Sequence, residues 1–463
     1  MSEQFKSFYR LLLPAIFFAS ITNANAQDPQ IKFTEKLVCE INKKEMVDPT
    51  LSISNNMRHI GFRMKLGNKQ VVVIDGVAGK PYDTVEIPVF SPDSKRFAYV
   101  AKENGTWFIV LDHGQQDVGS YAAIRGLQFC PDNTTLLYVA DEGASQFTVI
   151  NGANGNPYTR VDDNSIRFSP GGKAAFRAIK GKKEFMVFDG QEGASYERVS
   201  SPVFSLKGKH LGYVAKKEGK QFAVIDGREG LYYDSVEAVI FSDNGKHFVY
   251  HVADGGREFV VTDGVEGPRF NLVYSLLVSS NGSREIYGIA LDKKNADGFL
   301  NSVVDNGKTL LTYETVVDGS LRISNDGKHT AYEAELNDEF FVVLDGDTGK
   351  HYGDVIQSTI TFSPNSKRIS YAGENNSKRK VNIDGVEGDG FDDVYSIWFS
   401  PNNKRVVYVA RAGDKDLVVV DTIKGKPYDS VLAQGGIVFD SSSGFHFLAM
   451  QQNKVYLVEE KIK

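Results

Sequence analysis

Phe90-Ser91-Pro92-Asp93-Ser94-Lys95-Arg96-Phe97-Ala98-Tyr99-Val100 is the stretch that decides the fold. Phe90 closes a short apolar run, Ile87-Pro88-Val89-Phe90. Ser91-Pro92-Asp93 then turns the chain, because proline presets the φ that a turn requires. Arg96 to Val100 reads as the strand that returns. The same element recurs as Phe399-Ser400-Pro401-Asn402-Asn403-Lys404-Arg405-Val406-Val407-Tyr408. An apolar anchor followed by Ser or a substitute and a turn is found at Ile53, Phe90, Phe129, Phe168, Phe204, Phe241, Val278, Ile323, Phe362, Phe399 and Phe439. These eleven anchors define a period near 38 residues, with one long step of 45 between Val278 and Ile323.

Further positions keep the same phase. Nine residues after the anchor stands an aromatic, as in Phe62, Tyr99, Tyr138, Tyr213, Tyr250, Tyr287, Tyr332, Tyr371 and Tyr408. Thirteen residues later comes Asp75, Asp112, Asp226, Asp263, Asp345, Asp384 or Asp421, with Asn151 and Asp189 in the matching places. Seven residues on, an aromatic returns as Tyr82, Tyr158, Tyr196, Tyr233, Phe270, Tyr352, Phe391 or Tyr428. Fixed-period self-similarity of this kind marks a repeat architecture.

Each unit reads as four short antiparallel strands. The first ends at the anchor, the second is typified by Arg96–Val100, the third by Trp107–Leu111, and the fourth by Tyr82-Asp83-Thr84-Val85. No sustained helical periodicity appears. Third strands such as Val71-Val72-Val73-Ile74 and Leu417-Val418-Val419-Val420 are apolar at consecutive positions. Neighbouring strand residues face opposite sides of a sheet, so these strands are covered on both faces. A four-stranded sheet flanked by two like sheets is a propeller blade. A stacked β-solenoid would use parallel strands, longer turns and shorter repeats. The expected fold is therefore an all-β propeller of about eleven four-stranded units. It forms either one large ring or two rings of five and six blades, and the unbroken phase favours one continuous array.

The expected organisation is a signal peptide at 1–26, an N-terminal segment at 27–44 and the repeat array at 45–463, with an irregular unit at 278–322. Leu291 to Gly298 lies in that unit and lengthens the loop between second and third strands, as a plain insertion, a seam between rings or a binding loop. The last unit ends on Val455-Tyr456-Leu457-Val458 without a fourth strand. Glu45-Met46-Val47-Asp48 falls where a fourth strand belongs and would complete that blade, assisted by Leu37–Ile41. Closure of this kind removes exposed sheet edges.

These motifs resemble the "FSPDGKRIAY" element of WD-repeat-like propellers of the TolB type, over roughly residues 45–460. The resemblance implies a fold and a repeat rather than an activity. The group includes periplasmic binding scaffolds and propeller domains attached to peptidases. No catalytic domain is attached to these units, and the additional α/β domain of TolB has no room before Ile53, so a role identical to TolB's is not implied.

Lys6 and Arg10, the apolar run Leu11 to Ile21 and the small-x-small triplet Ala24-Asn25-Ala26 read as a secretory signal with cleavage after Ala26. The run is shorter than the ~20 residues of a spanning helix and holds Pro14. The expected location is the periplasm or outside the cell, with no membrane span once the signal is removed. A net charge of −6, without any dense Lys/Arg block, excludes a nucleic-acid partner. Cys39 and Cys130 are the only cysteines, too few for a disulfide framework. Cys130 takes a slot that other units fill with Ser, which reads as a small buried side chain.

Candidate chemistry is sparse. Asp-Gly-x-x-Gly segments such as Asp75–Gly79 and Asp384–Gly388 offer too few carboxylates for calcium and read as turns. His59, His210, His247 and His329 share one slot with Arg96, Arg368 and Arg405, which reads as a solvated basic strand entrance. Histidines on separate blades do not meet at one metal, and His113, His251, His351 and His446 are scattered. No nucleophile elbow or phosphate loop is present, and acidic pairs such as Asp162-Asp163 and Asp392-Asp393 read as loop charges. No catalytic or metal residues and no cofactor are expected.

The expected function is a non-enzymatic scaffold that binds a protein partner through blade loops or the channel mouth, and no particular binding residue is singled out for it. The alternative is an enzyme, small-ligand or glycan binder that uses the central channel, where Glu86, Arg125, Asn164 and Glu237 lie on or near first strands and differ between units. A structural subunit of an envelope assembly is a third reading.

Overall fold

The computed structural model describes residues 31–294, 298–432 and 436–462. The expected signal segment, the cleavage site and residues 295–297 of the insertion lie outside them. The chain forms eleven antiparallel sheets, one for each anchor, numbered here as blades 1 to 11. Blade 2 is typical. Its inner strand comes in two halves, Thr84–Val85 and Val89–Phe90, both paired with the second strand, Phe97–Glu103. The third strand is Thr106–Leu111 and the outer strand Gly114–Tyr121.

The fourth strand expected at Tyr82–Val85 divides between two blades. The Asp75-Gly76 turn, with φ of +50° and +80°, leads straight into an outer strand at Val77–Ala78. A two-residue turn with both φ positive matches the twist of a hairpin, so the outer strand begins directly after it. Tyr82 is the last residue held by blade 1, bridging Gln70, whereas Thr84 and Val85 already pair with Lys102 and Ala101 of blade 2.

Blades pack face to face through the residues in phase. The aromatic of one blade's outer strand meets the second-strand aromatic of the next edge-on. Tyr313 and Tyr332, Tyr352 and Tyr371, and Tyr428 and Phe447 each have ring centroids 6.1 Å apart. Edge-to-face contact is a favoured aromatic geometry. Third-strand valines fill the remainder. Between blades 5 and 6, Val214, Ala223 and Tyr233 pack on Tyr250, Val252, Phe259 and Val261.

One junction closes the ring. Leu448, Val455 and Leu457 of blade 11 cluster with Ile60, Phe62, Val71 and Val73 of blade 1, and Cys39 and Ile41 complete the cluster. The array is therefore a single eleven-bladed ring. The strand that completes blade 11 is Ile31–Glu40, paired along Lys454–Ile462, and not Glu45–Asp48. The latter segment is already engaged in blade 1: Val47 donates to the Arg63 carbonyl at 3.1 Å and Lys65 donates to the Glu45 carbonyl at 2.7 Å. The insertion of blade 7 extends its central hairpin, with Glu285–Lys294 pairing on Phe299–Asp305.

Candidate functional site

The two faces of the ring are built differently. On one lie the turns that follow the anchors. Ser91 is buried; its Oγ accepts from Arg96 N at 3.0 Å and donates to Asp93 Oδ1 at 2.7 Å. Ser242 with Asn244, Ser324 with Asp326 and Ser400 with Asn402 repeat this bond. Adjacent turns are tied together as well. Asp93 N donates to Asn133 Oδ1 at 2.8 Å, Asp326 N to Ser366 Oγ at 3.0 Å, and Asn365 N to Asn403 Oδ1 at 2.8 Å.

The repeated Asp sits on this face and has two tasks. Asp75 Oδ1 accepts from Ile60 N at 2.9 Å, and Oδ2 lies 2.7 Å from His59 Nδ1. Asp226 treats Leu211 N and His210 likewise, and Asp384 treats Ile369 N and Arg368. The basic slot is therefore not merely solvated. Each His or Arg is paired with the Asp sixteen residues on, which also engages the carboxylate oxygens that a calcium reading would need. The remaining histidines have separate partners: His113 packs on Phe97, His351 meets Glu339 at 2.6 Å, and buried His446 meets Asp440 at 2.8 Å.

The other face carries the hairpin turns between second and third strands and the crossovers between blades. Here, on six blades, a third-strand side chain bolts the blade to the next. Gln70 Oε1 accepts from Val85 N at 3.2 Å, Gln146 from Val161 N at 3.0 Å, Gln221 from Val236 N at 3.0 Å and Asp416 from Val431 N at 3.1 Å. Glu184 and Glu258 do the same for Val199 and Val273, both at 2.8 Å.

The four inner-strand candidates lie on different blades, and Glu86 and Glu237 directly follow the bolted Val85 and Val236. Glu86 lies 3.3 Å from Arg63 of blade 1. Arg125 binds Asp141 at 2.9 Å and approaches Asp163 of blade 4 at 3.7 Å. Asn164 lies in the one-turn helix Asp163–Ser165, where its carbonyl accepts from Arg167 at 2.9 Å. Glu237 is exposed, with His251 Nδ1 at 3.3 Å. They are strung around the inner rim and are not gathered at one point.

A cavity of about 450 Å³ opens beside Glu237. Arg177 of blade 4, Arg198, Ser200, Lys216 and Gln221 of blade 5, and Ala238 of blade 6 line it. Arg198 and Lys216 are direct cross-strand partners. Among the described residues neither has an ion-pair or hydrogen-bond partner for its side chain. Like charges placed opposite one another weaken a strand pair. At the matching position blade 2 pairs Thr84 with Lys102, blade 6 Ser235 with Ala253, and blade 10 Asp393 with Arg411.

Two carboxyls are deeply buried, one of them, Glu460, in the register place of the repeated Asp. Glu333, on the second strand of blade 8, is 2% exposed and its Oε2 has no hydrogen-bond partner. Burial, with Asp354 and Glu335 nearby, pushes its pKa up to about 8. Glu460 in blade 11 is equally enclosed, and burial raises it to about 7. Sequence reading missed both, and also missed the Arg198–Lys216 pair; lining up the repeats singles out Glu333, since blades 7 and 9 place Gly288 and Ala372 there, whereas Arg198 shares its slot with Arg160 of blade 4.

No family model and no curated protein sequence matches the chain. Solved structures do resemble it. A crystal structure of a eukaryotic initiation factor aligns over 89% of this chain and 89% of its own, at 11% identity and a TM-score of 0.39. The Dos1 propeller aligns over 72% of this chain and 91% of its own, at 12% identity and 0.32. A Cps50 (Swd1) β-propeller domain from Myceliophteria thermophila covers 53% and 92%, at 14% identity and 0.26. Nothing about function follows from likenesses this distant. Among the described residues no helix is long and apolar enough to cross a membrane.

Proposed function

We propose that the chain is an exported, TolB-like propeller that acts without catalysis, as a scaffold for a protein partner in the periplasm or outside the cell. The observation that supports this reading is the difference between the two faces. Anchor turns are alike in sequence and bonded to one another, whereas the hairpin turns opposite them differ from blade to blade. Lys65-Leu66-Gly67-Asn68, Asp141-Glu142-Gly143-Ala144, Lys216-Lys217-Glu218-Gly219 and Glu335-Leu336-Asn337-Asp338 share a position and little else. Variable loops on a rigid frame are where proteins concentrate recognition.

The test is capture of partners from the exported fraction with the intact ring as bait, beside variants whose hairpin turn residues 218–219 or 337–338 are replaced by Asn-Gly. Partners lost with one turn and retained with the other support a scaffold reading. A bait that enriches nothing above an empty matrix in several growth conditions overturns it.

A further inference from the structure

We propose that the cavity on the inner rim of blade 5 binds a small acidic sugar, one or two rings bearing a carboxylate or phosphate, with Arg198 and Lys216 as the anion clamp. The two cations stand directly opposite each other on paired strands and lack a carboxylate of their own. The acids of neighbouring blade 6 are committed elsewhere: Asp234 and Asp254 both bind Lys220, at 2.6 and 3.3 Å. An anion between Arg198 and Lys216 converts a repulsive pair into a clamp whose two charge-assisted bonds reinforce each other.

The rest of the lining sets the size and character of the ligand. Its volume of about 450 Å³ lies within the ordinary small-ligand range of roughly 300–1,000 Å³. Val199, Val214, Ala215 and Val236 line its floor and are themselves packed between blades, so the floor is apolar and fixed. Arg177 is part of the wall and not of the clamp, since Asp162 holds its guanidinium at 2.5 Å and the Val199 carbonyl accepts from it at 3.1 Å. Ser200 Oγ is likewise occupied, accepting from Val214 N at 2.9 Å. Glu237 also lines the cavity; one of its oxygens lies 3.3 Å from His251 Nδ1, and the side chain is 70% exposed. Its carboxylate accepts hydrogen bonds from hydroxyl groups and repels a second anion. One anionic end and one hydroxylated end describe an acidic sugar, and not a polyanion.

The experiment is titration of the full chain with glucuronate, glucose 6-phosphate, inorganic phosphate and neutral glucose at constant ionic strength, read by calorimetry and by the shift of the melting temperature. The expected result is saturable binding of glucuronate or glucose 6-phosphate, with the better of the two naming the anionic group. Glucose binds at least tenfold more weakly. Arg198→Ala/Lys216→Ala loses the binding tenfold or more while melting at the wild-type temperature or slightly above it, and Lys216→Arg retains it. Binding of inorganic phosphate as tight as that of the sugar phosphate overturns the sugar half of the assignment. Saturation by neither acidic sugar, or equal binding by the double variant, overturns all of it, and neither outcome touches the scaffold reading.

Discussion

Arg58 of blade 1 donates to Glu459 of blade 11 at 2.7 Å, a contact across 401 residues of sequence. The same guanidinium reaches Asp440 at 3.0 Å, and His446 Nε2 lies 2.6 Å from the Asn56 carbonyl. The seam thus has a polar surface over the apolar cluster of Cys39, Ile60, Phe62, Leu448 and Val455. Partly exposed ion pairs contribute roughly 0–1 kcal/mol each. Arg58→Ala should lower the melting temperature only slightly, whereas deletion of 31–40 strips the outer strand from blade 11 and should lower it across the whole transition. Calorimetry of the two variants checks the ranking, and an unchanged curve for the deletion contradicts closure by this strand.

Blade 7 carries a bulky residue matched to a missing one. A Cβ added to Gly288 would meet the Tyr274 ring at 2.2 Å, far inside contact distance. Gly288→Ala should therefore destabilise by about 1–3 kcal/mol, the range for overpacking. Tyr274→Ser should recover much of that loss in the double variant, so a double-mutant cycle with no coupling rejects the pairing.

The inter-blade bolts predict a selective loss. Gln221→Ala leaves the Val236 amide without its acceptor at a buried junction. An orphaned buried donor costs about 1–3 kcal/mol. Gln221→Glu keeps an acceptor in place and should be much milder; equal losses in chemical denaturation would argue against the bond as the cause.

Glu333 sets a pH dependence with a definite sign. Its carboxyl in the folded protein titrates near 8, above the ordinary 4.5, so folding favours the protonated form. That contribution is complete below about pH 4.5 and fades as pH rises through 8. Glu333→Gln keeps the site neutral, so its melting temperature should match wild type at pH 5 and exceed it by about 1–2 °C or more at pH 9. Parallel curves over this range would show that Glu333 is not the group responsible.

Burial pushes the Cys39 thiol up to about 12 and the Cys130 thiol up to about 11. The thiolate is the reactive form, so both should resist a thiol reagent at pH 8 in the folded ring. Two equivalents should react after denaturation, and rapid labelling of native protein would place one of them at the surface.

The period, the strand count and the propeller were legible because each unit repeats the same solution. Ser91, Tyr99 and Asp112 recur in phase, and eleven copies average away the noise of any single stretch. Strand boundaries were less legible. Tyr82 and Thr84 lie two residues apart yet belong to different blades, and nothing in their side chains marks the crossing. Closure was half read, since the chain ends were correctly joined but through 45–48 in place of 31–40. Both segments have strand-like composition, and only the Val47–Arg63 bond tells which sheet has claimed the second. The candidate site was the least legible part. Arg198 and Lys216 are eighteen residues apart and meet through register alone, so each reads as an ordinary surface cation until the strands are paired.

The pairing of Ile31–Glu40 with Lys454–Ile462 also constrains the order of events during synthesis. This strand, made before any blade, has no pairing partner until the final strand has been made. Ten blades can assemble in sequence, each on the one before, while that opening segment waits unmatched. A toroid fastened in this way is finished by a strand older than every blade, so its full cooperativity arises only after the ribosome has delivered the last of them.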